Sequence, residues 1–431
     1  MLGRTVLRNV LSNELKCVEQ CQRRASSKSS AELIDLENKY VARTYDPIPV
    51  VTAEGKGCIL KDPEGKRYLD FLGGYAAVNT GHCHPKIIET VGSQVAKLHH
   101  TSRAYYNNEL PVFAEYITKY FGYDRVLPMN TGVEGGDTAI KMARRWGYLS
   151  KGIKPNEAMV VFARGNFWGR SLAAISTSDN PVMYEHFGPY MPGFSSVPFN
   201  DTCALEEALK LKNVCAFMVE PIQGEGGIIV PSDGYLKEVR RLCTENNVLF
   251  IADEVQTGLG RTGELLACDH ESVKPDILVL GKGLAGAVIP MSAVLANEDI
   301  MCHMTSGTHG STFGGNALAC AVARRTLEII REEKLVENAK KMGEKFRSDL
   351  QCKLPKGIVP VIRGKGLMNA IEIHPDFGTG HDLAIRLKDA GLLSKSASKQ
   401  AIRLTPPLVI SESEIEEGVE IISQVVDSFA K

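Results

Sequence analysis

Four short runs of apolar residues interrupt the middle of the chain, at 159–163, 214–219, 248–252 and 277–280, with no polar residue alternating through them. Continuous apolar runs of this length predict strands covered on both faces, as in a mainly parallel sheet between helical layers. Each run ends in polar or glycine-rich residues, where ligands gather in open α/β sheets. Elsewhere the apolar spacing is helical. Ala139, Ile140, Met142, Ala143 and Trp146 follow a glycine-rich turn, and a long helical stretch begins at Asn316. Near the C-terminus, Ser411 and Glu414 have capping-box spacing. Ile415, Val419, Ile422, Val426 and Phe429 then mark one apolar face.

The chain's 431 residues exceed what one simple core holds. The pattern predicts an α/β protein: an N-terminal segment over 31–85, a large mainly parallel-sheet domain over 86–333, and a smaller C-terminal domain over 334–431. A net charge of -1 excludes a global field that draws the chain to nucleic acid or an anionic membrane. No apolar run approaches the length of a membrane span. Eleven cysteines are scattered without a Cys-x-x-Cys pair, which predicts free thiols in a reducing compartment. His82, Cys83 and His84 are adjacent, but three successive side chains do not converge on one ion, and no metal site is expected. Residues 1–30 carry Arg4, Arg8, Lys16, Arg23, Arg24 and Lys28 against Glu14 and Glu19, with leucines at helical spacing and a serine-rich end. They read as a mitochondrial presequence.

The chemistry sits at the strand ends. The run 248–252 leads into Asp253-Glu254, and 277–280 leads into Gly281-Lys282-Gly283. A buried acid needs a cation or a donor, and a lysine between glycines has room for a bulky partner. Together they are the two groups a pyridoxal-phosphate enzyme requires: an amine to carry the cofactor and an acid for its ring nitrogen. The turn Asn130-Thr131-Gly132-Val133-Glu134-Gly135-Gly136 opens a helix and presents backbone N–H groups to an anion.

The stretch Phe250-Ile251-Ala252-Asp253-Glu254-Val255-Gln256-Thr257-Gly258-Leu259-Gly260-Arg261-Thr262-Gly263, followed by Pro275-Asp276-Ile277 and Leu280-Gly281-Lys282, resembles the signature of the class-III aminotransferases. One departure is Gly286-Ala287, where the family usually has two glycines. The resemblance implies a fold-type-I pyridoxal-phosphate transferase, homodimeric, with its sites at the subunit interface. It implies that Lys282 carries the cofactor, Asp253 pairs with the ring nitrogen, Gln256 reaches the ring hydroxyl and Phe167 stacks on the ring. Gly132 and Val133 would bind the phosphate, joined by Ser311 and Thr312 of the partner subunit.

Within the family the resemblance is closest to members that move the terminal amine of L-ornithine to 2-oxoglutarate in the mitochondrial matrix. It extends through Asn166-Phe167-Trp168-Gly169-Arg170, Glu220-Pro221-Ile222-Gln223-Gly224-Glu225, His309-Gly310-Ser311-Thr312-Phe313-Gly314-Gly315-Asn316 and Arg403-Leu404-Thr405-Pro406-Pro407. It implies that Arg403 binds the carboxylate beside glutamate's amine, with Glu225 as its partner when ornithine is bound. Arg170 would hold the far carboxylate with help from Tyr45, and Tyr75 would select ornithine, where acetylornithine and 4-aminobutyrate relatives carry an aliphatic residue. A competing reading takes Gly258-Leu259-Gly260-Arg261-Thr262-Gly263 as a dinucleotide fingerprint of a nicotinamide oxidoreductase. That fingerprint follows its strand directly and opens a helix, and neither pattern is present here.

Overall fold

A computed structural model describes residues 28–429. The expected presequence lies outside these residues except for its last three. Of those, Ser29 caps the first described helix, Ser30–Tyr40, in a reciprocal capping box with Glu32.

A seven-stranded sheet forms the centre, in the order Arg125–Met129, Ser292–Ala296, Ile277–Leu280, Leu249–Asp253, Val214–Val219, Met159–Ala163 and Phe194–Val197. Five neighbouring strands run parallel, and Ser292–Ala296 lies antiparallel to both of its neighbours. The four apolar runs are therefore strands of one sheet. The run at 248–252 begins and ends one residue later, so Asp253 is itself the last strand residue and pairs in register with Val279. The two faces of the sheet bury separate apolar layers. Phe162, Met218 and Ile251 point one way, and Phe217, Val219 and Phe250 the other. That burial explains the unbroken apolar runs.

The smaller parts are interleaved. Strands Glu54–Lys56, Ile59–Lys61 and Arg67–Asp70 form a sheet completed by Leu392–Leu393 from the C-terminal region, parallel to Arg67–Asp70. A third sheet joins Val361–Lys365, Met368–Glu372, Ala401–Leu404 and Lys395–Ser396. The last helix, Glu412–Asp427, has the expected Ser411–Glu414 capping box, and Ile415, Val419, Ile422 and Val426 are buried. Among the described residues no helix is long and apolar enough to cross a membrane.

Candidate active site

At the carboxyl end of the central sheet, Gly132, Val133, Phe167, Asp253, Gln256 and Lys282 line one cavity of about 210 Å³. The helix Gly132–Leu149 starts at its wall. Glu134 caps that helix reciprocally with Thr131, and Asn130 N–H also donates to its carboxylate. The Glu134 N–H donates to Thr131 and the Gly135 N–H to the Thr131 carbonyl. The N–H groups of Gly132 and Val133 have no partner among the described residues, which suits an anion at a helix N-terminus. A Cβ on Gly132 would stand 2.9 Å from Val255 Cγ1, so the turn admits only glycine there without displacement.

Lys282 opens a short 3-10 turn and sits at φ 44, a left-handed conformation that costs a lysine on the order of 1 kcal/mol. Its flanking glycines do not leave room for a ligand, as the sequence suggested. A Cβ on Gly283 would meet Asn79 at 2.8 Å and one on Gly281 would meet Val255 at 3.2 Å, so both glycines answer to protein neighbours. Burial pulls the Lys282 amine below its ordinary pKa, against the opposing charges of Asp253 and Glu220. Asp253 is pushed up to about 6 by burial, while the Val255 N–H donates to its Oδ1 at 3.0 Å.

Glu220 also lines this cavity, and sequence reasoning gave it no role. It directly follows the apolar run 214–219 as Asp253 follows 248–252, so the same signal marked it. Its carboxyl accepts from Phe167 N–H at 2.9 Å and Gly224 N–H at 3.3 Å. Burial, then the charge of Asp253, pushes it up to about 8. Of the two carboxyls, Asp253 is the first to ionise. Gln256 is pressed against Gly224, where a Cβ would come within 1.9 Å of its Oε1. An amine, an adjacent ionised carboxylate, an aromatic wall and two free N–H groups match the donor set that pyridoxal phosphate needs. Ser311 and Thr312 do not line this cavity. Ser311 instead accepts from Asn130 Nδ2 at 2.7 Å.

A larger cleft of about 910 Å³ shares Phe167 and Lys282 and is lined by Tyr45, Tyr75, Arg170 and Glu225. Arg403 lies behind it, its side chain 1% exposed, and donates through Nη2 to Glu225 Oε2 at 2.7 Å. Nε and Nη1 of Arg403 are buried without hydrogen-bond partners among the described residues. A buried guanidinium with spare donors is chemically suited to receive a carboxylate. The Tyr75 ring covers it, 5.1 Å from Cζ, and Arg170 lies 5.8 Å over the Phe167 ring.

Tyr75 stands in a feature the sequence did not reveal. Gly73, Gly74, Tyr75 and Ala76 all have φ between 56 and 65, a single turn of left-handed helix closed by Ala77 N–H to the Gly73 carbonyl. Glycines adopt it freely. Tyr75 and Ala76 each give up about 1–2 kcal/mol to do so.

The adjacent trio at 82–84 diverges. His82 Nε2 meets Asp70 at 2.7 Å and His84 Nε2 meets Glu333 at 3.2 Å. The glycines at 258–263 lie in a buried loop that leads to a 3-10 turn, Ala267–Glu271, and not to a helix. Arg261 within that loop is fully buried and binds the carbonyls of Leu367 and Pro406 and the Asn79 side chain. A dinucleotide fingerprint is absent from this loop.

Comparison with known proteins adds an independent line. The sequence profile of the family "Aminotransferase class-III" matches residues 40–426. The mitochondrial ornithine aminotransferase of Drosophila melanogaster is 56% identical over 403 residues, spanning 93% of this chain and 93% of that one. The crystal structure of ornithine aminotransferase from Toxoplasma gondii superposes with a TM-score of 0.93 at 44% identity, covering 95% of this chain and 98% of that one. Acetylornithine aminotransferase from Elizabethkingia anophelis gives 0.85 at 47% identity, covering 93% and 100%.

Proposed function

The chain belongs to the class-III aminotransferases, and from that premise we propose that it moves the δ-amino group of L-ornithine to 2-oxoglutarate. The products are glutamate and glutamate-5-semialdehyde, which cyclises to pyrroline-5-carboxylate. It is a pyridoxal-phosphate enzyme acting on small molecules by alternating half-reactions. The observation that carries the substrate reading is the Glu225–Arg403 pair beneath Tyr75.

Pyridoxal phosphate, when bound, disperses the electron pair left as a proton departs from the substrate carbon. Asp253 would keep the proton on the cofactor's ring nitrogen, an attraction strengthened by its burial. Lys282 Nζ is the amine that would hold the cofactor, and when free its lowered pKa favours the neutral form that would accept the proton leaving the substrate carbon. Phe167 and Gln256 would orient the ring, and the N–H groups of Gly132 and Val133 would hold the phosphate.

Ornithine presents a terminal amine with no carboxylate beside it, so Arg403 stays neutralised by Glu225. Glutamate and 2-oxoglutarate bring a carboxylate to the same place, and Glu225 gives way. Its partial exposure leaves it free to swing toward solvent, while Arg403 has nowhere to go. Arg170 takes the far carboxylate in both cases, with Tyr45 helping on ornithine.

The same reading assigns Ser311 and Thr312 of the partner subunit to the phosphate. Support for a homodimer comes from the position of this chain's Ser311 and Thr312 outside its own cavity and from the exposed aromatics Tyr105, Tyr106 and Phe313. The basic leader over 1–30 and the mitochondrial relatives support import, with residence in the matrix. The remaining division is an N-terminal segment, 31–85, the cofactor domain, 86–333, and the small domain, 334–431.

A substrate panel tests the proposal. Ornithine, acetylornithine and 4-aminobutyrate are each supplied with 2-oxoglutarate, and the cyclised product is followed. Ornithine is expected to be fastest; faster turnover of acetylornithine or 4-aminobutyrate would overturn the assignment.

A further inference from the structure

Asp70 has no part in the chemistry above, yet it grips the turn that carries Tyr75. Its carboxylate is almost wholly buried beside the larger cleft. Oδ1 accepts from the backbone N–H of Leu72 at 2.9 Å and of Gly73 at 2.8 Å, and Oδ2 meets His82 Nε2 at 2.7 Å. Those two N–H groups lie at the entry to the left-handed turn.

A second grip comes from the strand that carries Arg403. Two residues beyond it, Thr405 donates through Oγ1 to the Leu72 carbonyl at 2.8 Å and through its N–H to the Phe71 carbonyl at 2.7 Å. A Cβ on Gly73 would fall 2.5 Å from the Thr405 carbonyl, so backbone meets backbone there. The turn is thus clamped between the Asp70 carboxylate and the segment that positions the guanidinium.

Tyr75 and Ala76 do not favour this handedness on their own, so a strained local conformation persists only where its surroundings over-determine it. Release of the clamp would re-aim the Tyr75 ring, because its Cβ direction follows the backbone. We propose that Asp70 is a positioning residue for substrate selection: it fixes the left-handed turn so that Tyr75 stays over Arg403 in the cleft, with His82 orienting the carboxylate and Thr405 holding the opposite side. This rests on the reading of Tyr75 as the residue that favours ornithine.

The test compares holoenzymes, checked for bound cofactor by visible absorbance, in single-turnover reactions with ornithine and with 4-aminobutyrate. Asp70→Ala is expected to lower the ornithine to 4-aminobutyrate ratio of kcat/KM about tenfold, equivalent to about 1.4 kcal/mol. In a Tyr75→Ile background the same change should move the ratio less than about twofold, since the residue being positioned is gone. Asp70→Asn still offers an acceptor to the two N–H groups and should keep the ratio within about twofold of wild type. Equal losses on both substrates, a tenfold shift that persists on top of Tyr75→Ile, or an Asn variant as altered as the Ala variant would each overturn the proposal. Should Asp70→Ala not accumulate as folded protein, Thr405→Val carries the comparison. It removes one hydroxyl bond and should shift the ratio about threefold in the same direction, and an unchanged ratio refutes the clamp. If wild type itself prefers 4-aminobutyrate, the ornithine reading falls, while coupling between Asp70 and Tyr75 is still measured on that ratio.

Discussion

Removing the Glu225 carboxylate should separate the two half-reactions. In the resting protein Arg403 is held through one 2.7 Å hydrogen bond to Glu225, with its own side chain 1% exposed and that of Glu225 39% exposed. Breaking a fully buried pair costs about 3–5 kcal/mol, and a hydrogen bond to a charged group contributes about 1.5–3. The partial exposure of Glu225 places this pair near the lower end, at about 2 kcal/mol, or roughly a factor of 30. Glutamate must displace Glu225 before its carboxylate reaches Arg403. In Glu225→Ala that competition is gone, and the KM for glutamate should fall by up to about 30-fold. Ornithine brings no anion to this end, so Nη2 joins Nε and Nη1 without an acceptor, and the ornithine half-reaction should slow by a similar factor. Stopped-flow single turnovers, one substrate at a time, read both quantities from the cofactor absorbance. A rise in the glutamate KM, or equal losses in both half-reactions, would refute the gating role.

Lys282→Ala should lose the visible absorbance of covalently held cofactor along with turnover; an unchanged spectrum would remove Lys282 from its assigned place. Glu220 carries a pH signature in the cofactor-free protein. Its folded pKa is raised to about 8 from 4.5, so its contribution to stability is full below about 4.5 and is lost as pH rises through about 8. Across that window the urea midpoint of wild type should fall relative to Glu220→Gln, and parallel curves would show that the carboxyl is not held neutral. Ala287 is exposed at φ 58, so Ala287→Gly should stabilise the protein by about 1 kcal/mol, seen as a rise in denaturant midpoint. A lowered midpoint would mean that the methyl makes a contact worth more than the strain.

Much of the sheet was legible because burial on both faces leaves runs that cannot be mistaken for alternating strands. Leu249–Asp253 was displaced by only one residue, since the apolar run stops where the strand meets the cavity. The strand Ser292–Ala296 escaped notice: Ser-Ala-Val-Leu-Ala is made largely of small residues, and its antiparallel pairing on both sides leaves no mark in the residue order. Lys282 and Asp253 could be read because a charge at the end of an apolar run is conspicuous. Glu220 bore the same mark and was passed over, having no conspicuous partner in sequence. The left-handed turn at Tyr75 was illegible for a different reason. Two glycines permit it, but it is Asp70, before them, and Thr405, from far along the chain, that impose it.

The short strand Leu392–Leu393 has a consequence for the order in which the molecule is made. It completes the sheet that ends in Asp70, and Arg403 and Thr405 follow it closely. During synthesis the cofactor half of the site, from Gly132 to Lys282, is all available long before these residues emerge. The substrate half is not, since Tyr75 waits for its clamp and for the guanidinium beneath it. A nascent or truncated chain ending before 392 would thus hold every residue of the cofactor cavity, and Tyr75 as well, but would lack the Arg403 guanidinium and the Thr405 half of the clamp. Selectivity, on this topology, is acquired last.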